Sequence, residues 1–121
     1  MALILFIDDD LGSRVLYEKA CTLLGHHPIL ASSGAQGLAV AEERQPDLIM
    51  LDLSLPDEDG MLVLAELRQG LTTAHIPVVI VSAGVTEQDD QISKANGAVA
   101  FYNKPVSLST LQNTIDQFAS A

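Results

Sequence analysis

The stretch that most constrains this chain is Leu48-Ile49-Met50-Leu51-Asp52-Leu53-Ser54-Leu55-Pro56-Asp57-Glu58-Asp59-Gly60. Four large apolar residues in a row, bounded by turn residues, predict a strand buried on both faces. Asp52 falls at the carboxyl end of that strand. A carboxylate there is unfavourable unless a cation, a hydrogen-bond cage or a chemical role compensates its desolvation. Taken alone, Asp52 reads equally well as the capping residue of a strand-to-loop turn.

The rest of the chain repeats the theme. Residues 3–7 form a second apolar run and end in Asp8-Asp9-Asp10. A helical pattern follows with Leu16, Ala20, Leu23 and Leu24 on one face, and Gly25 fits its C′ position. A short strand is expected at 29–31. Ser33-Gly34 opens a second helix carrying Ala35, Leu38, Ala39 and Glu42. After strand 48–52, a helix from Gly60-Met61 carries Leu64, Leu67 and Leu71. Residues 77–82 are rich in β-branched side chains and predict a fourth strand. Thr86, with Asp89 three residues on, caps a polar fourth helix whose expected contacts are Val85, Ile92 and Ala95. A fifth strand is expected at 99–102, and Leu108, Leu111, Ile115 and Phe118 mark a fifth helix.

Five alternations of buried strand and amphipathic helix imply an α/β fold with a parallel sheet covered on both faces. The 121 residues suggest one domain, 1–121, with a core of Leu, Ile, Val and Ala, since the chain has no Trp and few other aromatics. No run approaches the length of a membrane span, and a single cysteine excludes an internal disulfide, so a cytoplasmic location is expected. Sixteen acids against six bases, a net charge of −10, argue against direct nucleic-acid binding and against docking on anionic lipid.

In such a sheet, functional side chains collect at the carboxyl ends of the strands. Those ends carry Asp8, Asp9, Asp52, Ser82 and Lys104. Three carboxylates together repel unless a proton or a cation sits among them. A hard divalent ion with oxygen ligands, most simply Mg²⁺, resolves the conflict. A metal, an ammonium and a hydroxyl around a nucleophilic carboxylate are what phosphoryl transfer to Asp requires.

These residues, in this order, give the chain a resemblance to the receiver domain of two-component response regulators. The resemblance spans essentially the whole chain. It is carried by Phe6-Ile7-Asp8-Asp9-Asp10, by Pro46 through Asp52, by Leu55-Pro56 with Asp59-Gly60, by Pro77 through Ser82-Ala83, and by Lys104-Pro105. It implies a flavodoxin-like sheet of order 2-1-3-4-5, which makes strands one and three neighbours. It implies that Asp52 is the phospho-acceptor, served by a histidine kinase or a histidine phosphotransfer protein. Asp9 would be the direct Mg²⁺ ligand, Asp8 a ligand through water, and Asp52 itself with the Ser54 backbone carbonyl the remaining protein ligands. Ser82 and Phe101 take the switch positions, and Lys104 pairs with the acyl phosphate across a cis Lys104-Pro105 peptide. The face made by the fourth helix, fifth strand and fifth helix would respond, docking an unknown downstream protein or output domain, or forming a homodimer.

Other readings are weaker. An aspartyl-phosphate hydrolase would want a second Asp where Ser54 stands, and a nucleotide enzyme a Gly-rich loop where Asp8-Asp9-Asp10 stands. The alternative function is a degenerate receiver that only binds protein, yet none of the acceptor, acid pair, hydroxyl or Lys is lost. Ser54 and Gly84 are small, which predicts little shielding of a phosphoryl group and no long-lived phospho-form. Asp10 reads as a helix cap. Asp57, Glu58 and Asp59 do not complete a calcium loop. His26, His27 and His75 read as loop surface, and Cys21 as a small buried side chain.

Overall fold

A computed structural model describes residues 1–84 and 86–119. Strands β1 (Leu3–Ile7), β2 (His27–Ala31), β3 (Leu48–Asp52), β4 (Val78–Ser82) and β5 (Ala100–Asn103) alternate with helices α1 (Leu11–Leu23), α2 (Gly34–Arg44), α3 (Gly60–Gln69), α4 (Glu87–Ala95) and α5 (Leu108–Phe118). All strand pairs are parallel, in the order β2-β1-β3-β4-β5. The flavodoxin-like arrangement expected above is the one found.

The apolar runs explain why the sheet is central. Side chains alternate across a strand, so a run with no polar residue feeds both faces. Leu5, Ile7, Ile49, Leu51, Val78 and Ile80 meet Val63, Leu64 and Leu67 of α3 and Ala41 of α2. Ile4, Phe6, Leu48, Met50, Val79 and Val81 meet Cys21 of α1 and Leu111 and Ile115 of α5. Every residue of β3 and of β4 is buried. β2 lies at one edge, where Pro28 is tolerated because an edge strand leaves one side of the ladder unpaired.

Several helix faces differ from the expected ones. In α1, Leu16 and Leu23 are exposed. Tyr17 stacks on Phe6 with ring centroids 4.6 Å apart, and the seated stripe is Tyr17, Ala20, Cys21 and Leu24. In α2, the face against the sheet is Gly34, Gly37 and Ala41, because a Cβ at Gly37 would collide with Ile7; Ala35, Ala39 and Glu42 face outward. α3 ends at Gln69, and Leu71 lies fully exposed beyond it. In α4, Ile92 and Ala95 are exposed, and the buried residue is Ser93, whose hydroxyl donates to Asp89 O at 2.8 Å. Val85 lies outside the described residues. Leu108 is exposed, and Thr114 joins Leu111 and Ile115 inside, its hydroxyl donating to Thr110 O at 2.7 Å. β5 starts one residue later than expected and reaches Asn103. His26 is half-buried rather than loop surface, its Nδ1 accepting from the Ala2 N–H at 2.9 Å, and His27 begins β2.

The caps fall where the sequence put them. Asp10 accepts from the Ser13 N–H, Ser33 from Gln36, and Thr86 and Asp89 form a reciprocal capping box. Gly25 sits at φ +86 directly after the α1 cap. No helix among the described residues is long and apolar enough to cross a membrane.

Cys21 is fully buried, and that burial pushes its thiol up to about 11. Only the thiolate reacts, so alkylation in the native state should be slow and should rise about tenfold per pH unit through pH 8 to 10. Iodoacetamide labelling followed by intact mass should show native Cys21 reacting roughly a hundredfold more slowly than in urea at pH 8. Equal rates would mean that α1 does not seal the sheet at this point.

Candidate functional site

The register of the sheet builds the site. β1 pairs with β3 so that Ile7 lies opposite Leu51, which puts Asp8 abreast of Asp52. β3 pairs with β4 with Asp52 opposite Val81, so Ser82 lies one residue beyond. β4 pairs with β5 with Ser82 opposite Asn103, and the Lys104 N–H donates to Ser82 O at 3.1 Å. Four chain segments thus end at one rim.

Asp8, Asp9 and Asp52 meet there. One carboxylate oxygen from each lies within 4.8 Å of the others. Asp8 is 2% exposed and Asp52 5%, while Asp9 faces solvent. Lys104 Nζ stands between the two buried acids, 2.6 Å from Asp8 Oδ2 and 3.1 Å from Asp52 Oδ2. The contact to Asp8 is an ion pair without hydrogen-bond geometry, so buried Asp8 Oδ2 keeps unmet acceptor capacity. Asp8 Oδ1 accepts from the Asp10 N–H, and Asp52 Oδ1 from the Ser54 N–H at 3.1 Å. The Lys104-Pro105 peptide is cis.

Burial raises the Asp52 carboxyl above its ordinary value, opposed by the Ser54 amide and by Lys104, and the Asp8 charge adds to the rise. Burial also pulls Lys104 down, but the two carboxylates outweigh it and its ammonium is held above the usual range. The buried acids therefore form an electron-rich pocket with one shared cation. A pocket that gathers oxygens of three carboxylates is suited to a hard cation such as Mg²⁺.

Ser82 is buried, and among the described residues its hydroxyl makes one long contact, 3.5 Å to Ala83 O. Phe101 is half-buried on the α2–α3 side of the sheet, and Tyr102 is half-buried on the α1–α5 side. Ser54 is exposed in the turn after β3. Gly84 has φ +68, and a Cβ there would meet nothing within 4 Å. Neither of those two positions carries a large side chain.

Two contributors had no clear sign in the sequence. Arg14 Nη1 donates to Asp8 O at 2.9 Å and braces the loop that carries Asp8 and Asp9. Asp57 reaches out of the turn after β3, accepting from the Gly34 N–H at 2.8 Å and the Ala35 N–H at 2.9 Å. Those amides hold its carboxyl below the usual range. An unpaired acid beside Pro56 was the only signal. Asp59 is the α3 cap, and Gly60 allows a close approach, since a Cβ there would lie 2.5 Å from Leu53 Cα and 2.6 Å from Asp52 O.

Comparison with known proteins matches this geometry. Residues 4–116 match the family described as the response regulator receiver domain. The protein PilH of Pseudomonas aeruginosa is 32% identical over 116 residues, covering 96% of each chain. The chemotaxis protein CheY4 of Vibrio cholerae superposes with a TM-score of 0.91 at 24% identity, over 98% of both chains. The receiver domain of the sensor histidine kinase PA1611 of Pseudomonas aeruginosa, which has a magnesium ion coordinated in its active-site cleft, superposes with a TM-score of 0.90 at 23% identity, over 99% of this chain and 98% of that one. At those identities the two superpositions establish the fold.

Because burial and Asp8 raise Asp52, ionised Asp52 destabilises the metal-free fold. A carboxyl raised in the folded state costs stability as pH climbs through its folded value. Asp52→Asn should therefore melt a few degrees higher than wild type in EDTA at pH 7, and the gap should close at pH values below the carboxylate range. Differential scanning calorimetry at pH 7 and pH 3 reads this directly; a lower melting point for Asp52→Asn at pH 7 would show that Lys104 pairing outweighs burial.

Proposed function

We propose, from the premise that this chain belongs to the response regulator receiver domain family, that Asp52 accepts a phosphoryl group from the phosphohistidine of a kinase or a phosphotransfer protein. The observation that carries the reading is the meeting of Asp8, Asp9 and Asp52 within 4.8 Å around Lys104. The family is one of two-component signalling, and the chain is a signalling module of that class.

In the transfer, the bond between phosphorus and the imidazole nitrogen breaks as one forms to an Asp52 carboxylate oxygen. The imidazole keeps the electron pair. Asp8, Asp9, Asp52 and the Ser54 carbonyl would hold Mg²⁺, which supplies charge neutralisation for the incoming phosphoryl oxygens. Lys104 starts the step bound to Asp52 Oδ2 and ends it on a phosphoryl oxygen, keeping Asp8 as its fixed partner. Its compact, mobile ammonium suits that exchange. The Ser82 hydroxyl, at the end of β4 beside Asp52, would turn toward a second phosphoryl oxygen.

The readout lies on the α4-β5-α5 face. Phe101 sits on β5 beside the cluster that includes α3 and would move inward as Ser82 turns. Ser93 is the one fully buried residue of helix α4, so its position has few buried contacts to break. That face would bind a downstream protein or output domain, or a second copy. The acidic surface favours protein partners over nucleic acid or membrane, and a cytoplasmic location suits a phosphohistidine donor.

Intact mass spectrometry with Mg²⁺ and acetyl phosphate tests the reading. A single phosphoryl adduct that disappears in Asp52→Asn is expected, and EDTA should prevent it. Absence of an adduct with any donor would favour a module that only binds protein. The open positions at Ser54 and Gly84 predict that the adduct decays within minutes to an hour rather than many hours.

A further inference from the structure

The turn after β3 is tied down on two sides. On its α3 side the Gly60 N–H donates to Leu53 O at 2.9 Å, and Ser54 and Asp59 form an antiparallel bridge. On its outer side the tie is Asp57, whose two oxygens take the Gly34 and Ala35 amides at 2.8 and 2.9 Å. Those are the first two amides of α2, 23 and 22 residues away in the chain. Two amides on one carboxylate make a directional, charge-assisted link. The next amide, Gln36 N–H, goes to Ser33 Oγ at 3.2 Å, so the start of α2 has a cap of its own.

Helix α2 is a firm anchor. Gly37 packs on Ile7 with no room for a Cβ, and Ile7 directly precedes Asp8. Gly34 abuts Val63 and Glu58 just as closely, with a Cβ there only 2.8 Å from Val63 Cγ2. Asp57 therefore links the turn that carries Ser54 to a helix seated beside the Asp8-Asp9 corner.

We infer that Asp57 is a positioning residue of the metal site. By docking the 53–59 turn on α2, it fixes the Ser54 peptide, whose carbonyl is the ligand in the reading above, and the inference rests on that reading. Without Asp57 the turn keeps its α3 anchor but loses the outer one, and binding a cation must then order the carbonyl. Groups that orient metal ligands typically change affinity by about 10–100-fold. With the three carboxylates still in place, the low end applies, a Mg²⁺ affinity weaker by about tenfold.

Capping α2 is the competing role, and Ser33→Ala separates the two, since it removes a cap of the same helix without touching the turn. Mg²⁺ titration by calorimetry, with amide spectra of the ¹⁵N-labelled chain, is the experiment. Asp57→Ala and Ser33→Ala should both lower the melting point. Only Asp57→Ala should raise the Mg²⁺ Kd and displace the Ser54 amide resonance, and Asp57→Asn, which keeps one accepting oxygen, should fall between. Wild-type Mg²⁺ affinity in Asp57→Ala, or an equal loss in Ser33→Ala, overturns the inference alone. A wild-type chain that binds no Mg²⁺ overturns the reading of the site and this inference with it.

Discussion

Lys104 is the contact on which the rim of this sheet depends. Asp8 and Asp52 are both buried, and two carboxylates about 5 Å apart repel by roughly 3 kcal/mol at an effective dielectric of 20. The ammonium between them, at 2.6 and 3.1 Å, offsets that repulsion and part of the desolvation. One ammonium does not neutralise two carboxylates, and Asp9 adds a third. The surplus is what makes the pocket attractive to a cation. Each partner arrives by a different route: Asp8 through β1, Asp52 through β3 and Lys104 from the end of β5. Their meeting is a property of parallel register across the sheet, not of any local motif.

The same register divides the molecule into two cores. Side chains alternate along β5, so Phe101 belongs to the layer of α2 and α3, and its neighbour Tyr102 to the layer of α1 and α5. Ser82, one residue beyond the point where Val81 faces Asp52, lies at the boundary between the charged rim and the apolar interior. A change of charge at Asp52 is therefore one short step from both layers. Arg68 ties the far end of the α3–α4 side together, its Nε donating to Gly97 O at 3.1 Å and its Nη1 to Ala74 O at 2.8 Å.

The strands were legible because an apolar run feeding two faces has few other structures open to it. β1 and β3 fall at the expected bounds, and the caps at Asp10, Ser33 and Thr86 were visible because they act within three residues of themselves. Helix faces were less legible. The stripe through Leu16 and Leu23 assumes that the largest apolar residues turn inward, but the stacking of Tyr17 on Phe6 seats a different stripe. In α2 the interface is chosen by smallness, since only Gly37 lets the helix approach Ile7. The residues brought together at the site were legible as a set, because charges at apolar strand ends are conspicuous. Arg14 and Asp57 were not, since each is an ordinary surface charge until the fold supplies a backbone partner.

Helix α4 is nine residues long, polar, and buried only at Ser93. A capping box closes one end and an Asp90–Lys94 pair runs along its side, both internal to the helix. Almost none of its surface is committed to holding the sheet together. Substitutions on that surface therefore leave the acidic rim and both cores untouched. The α4 surface can change identity while the acidic rim around Asp52 is inherited unchanged, so the two halves of the molecule are free to evolve at different speeds.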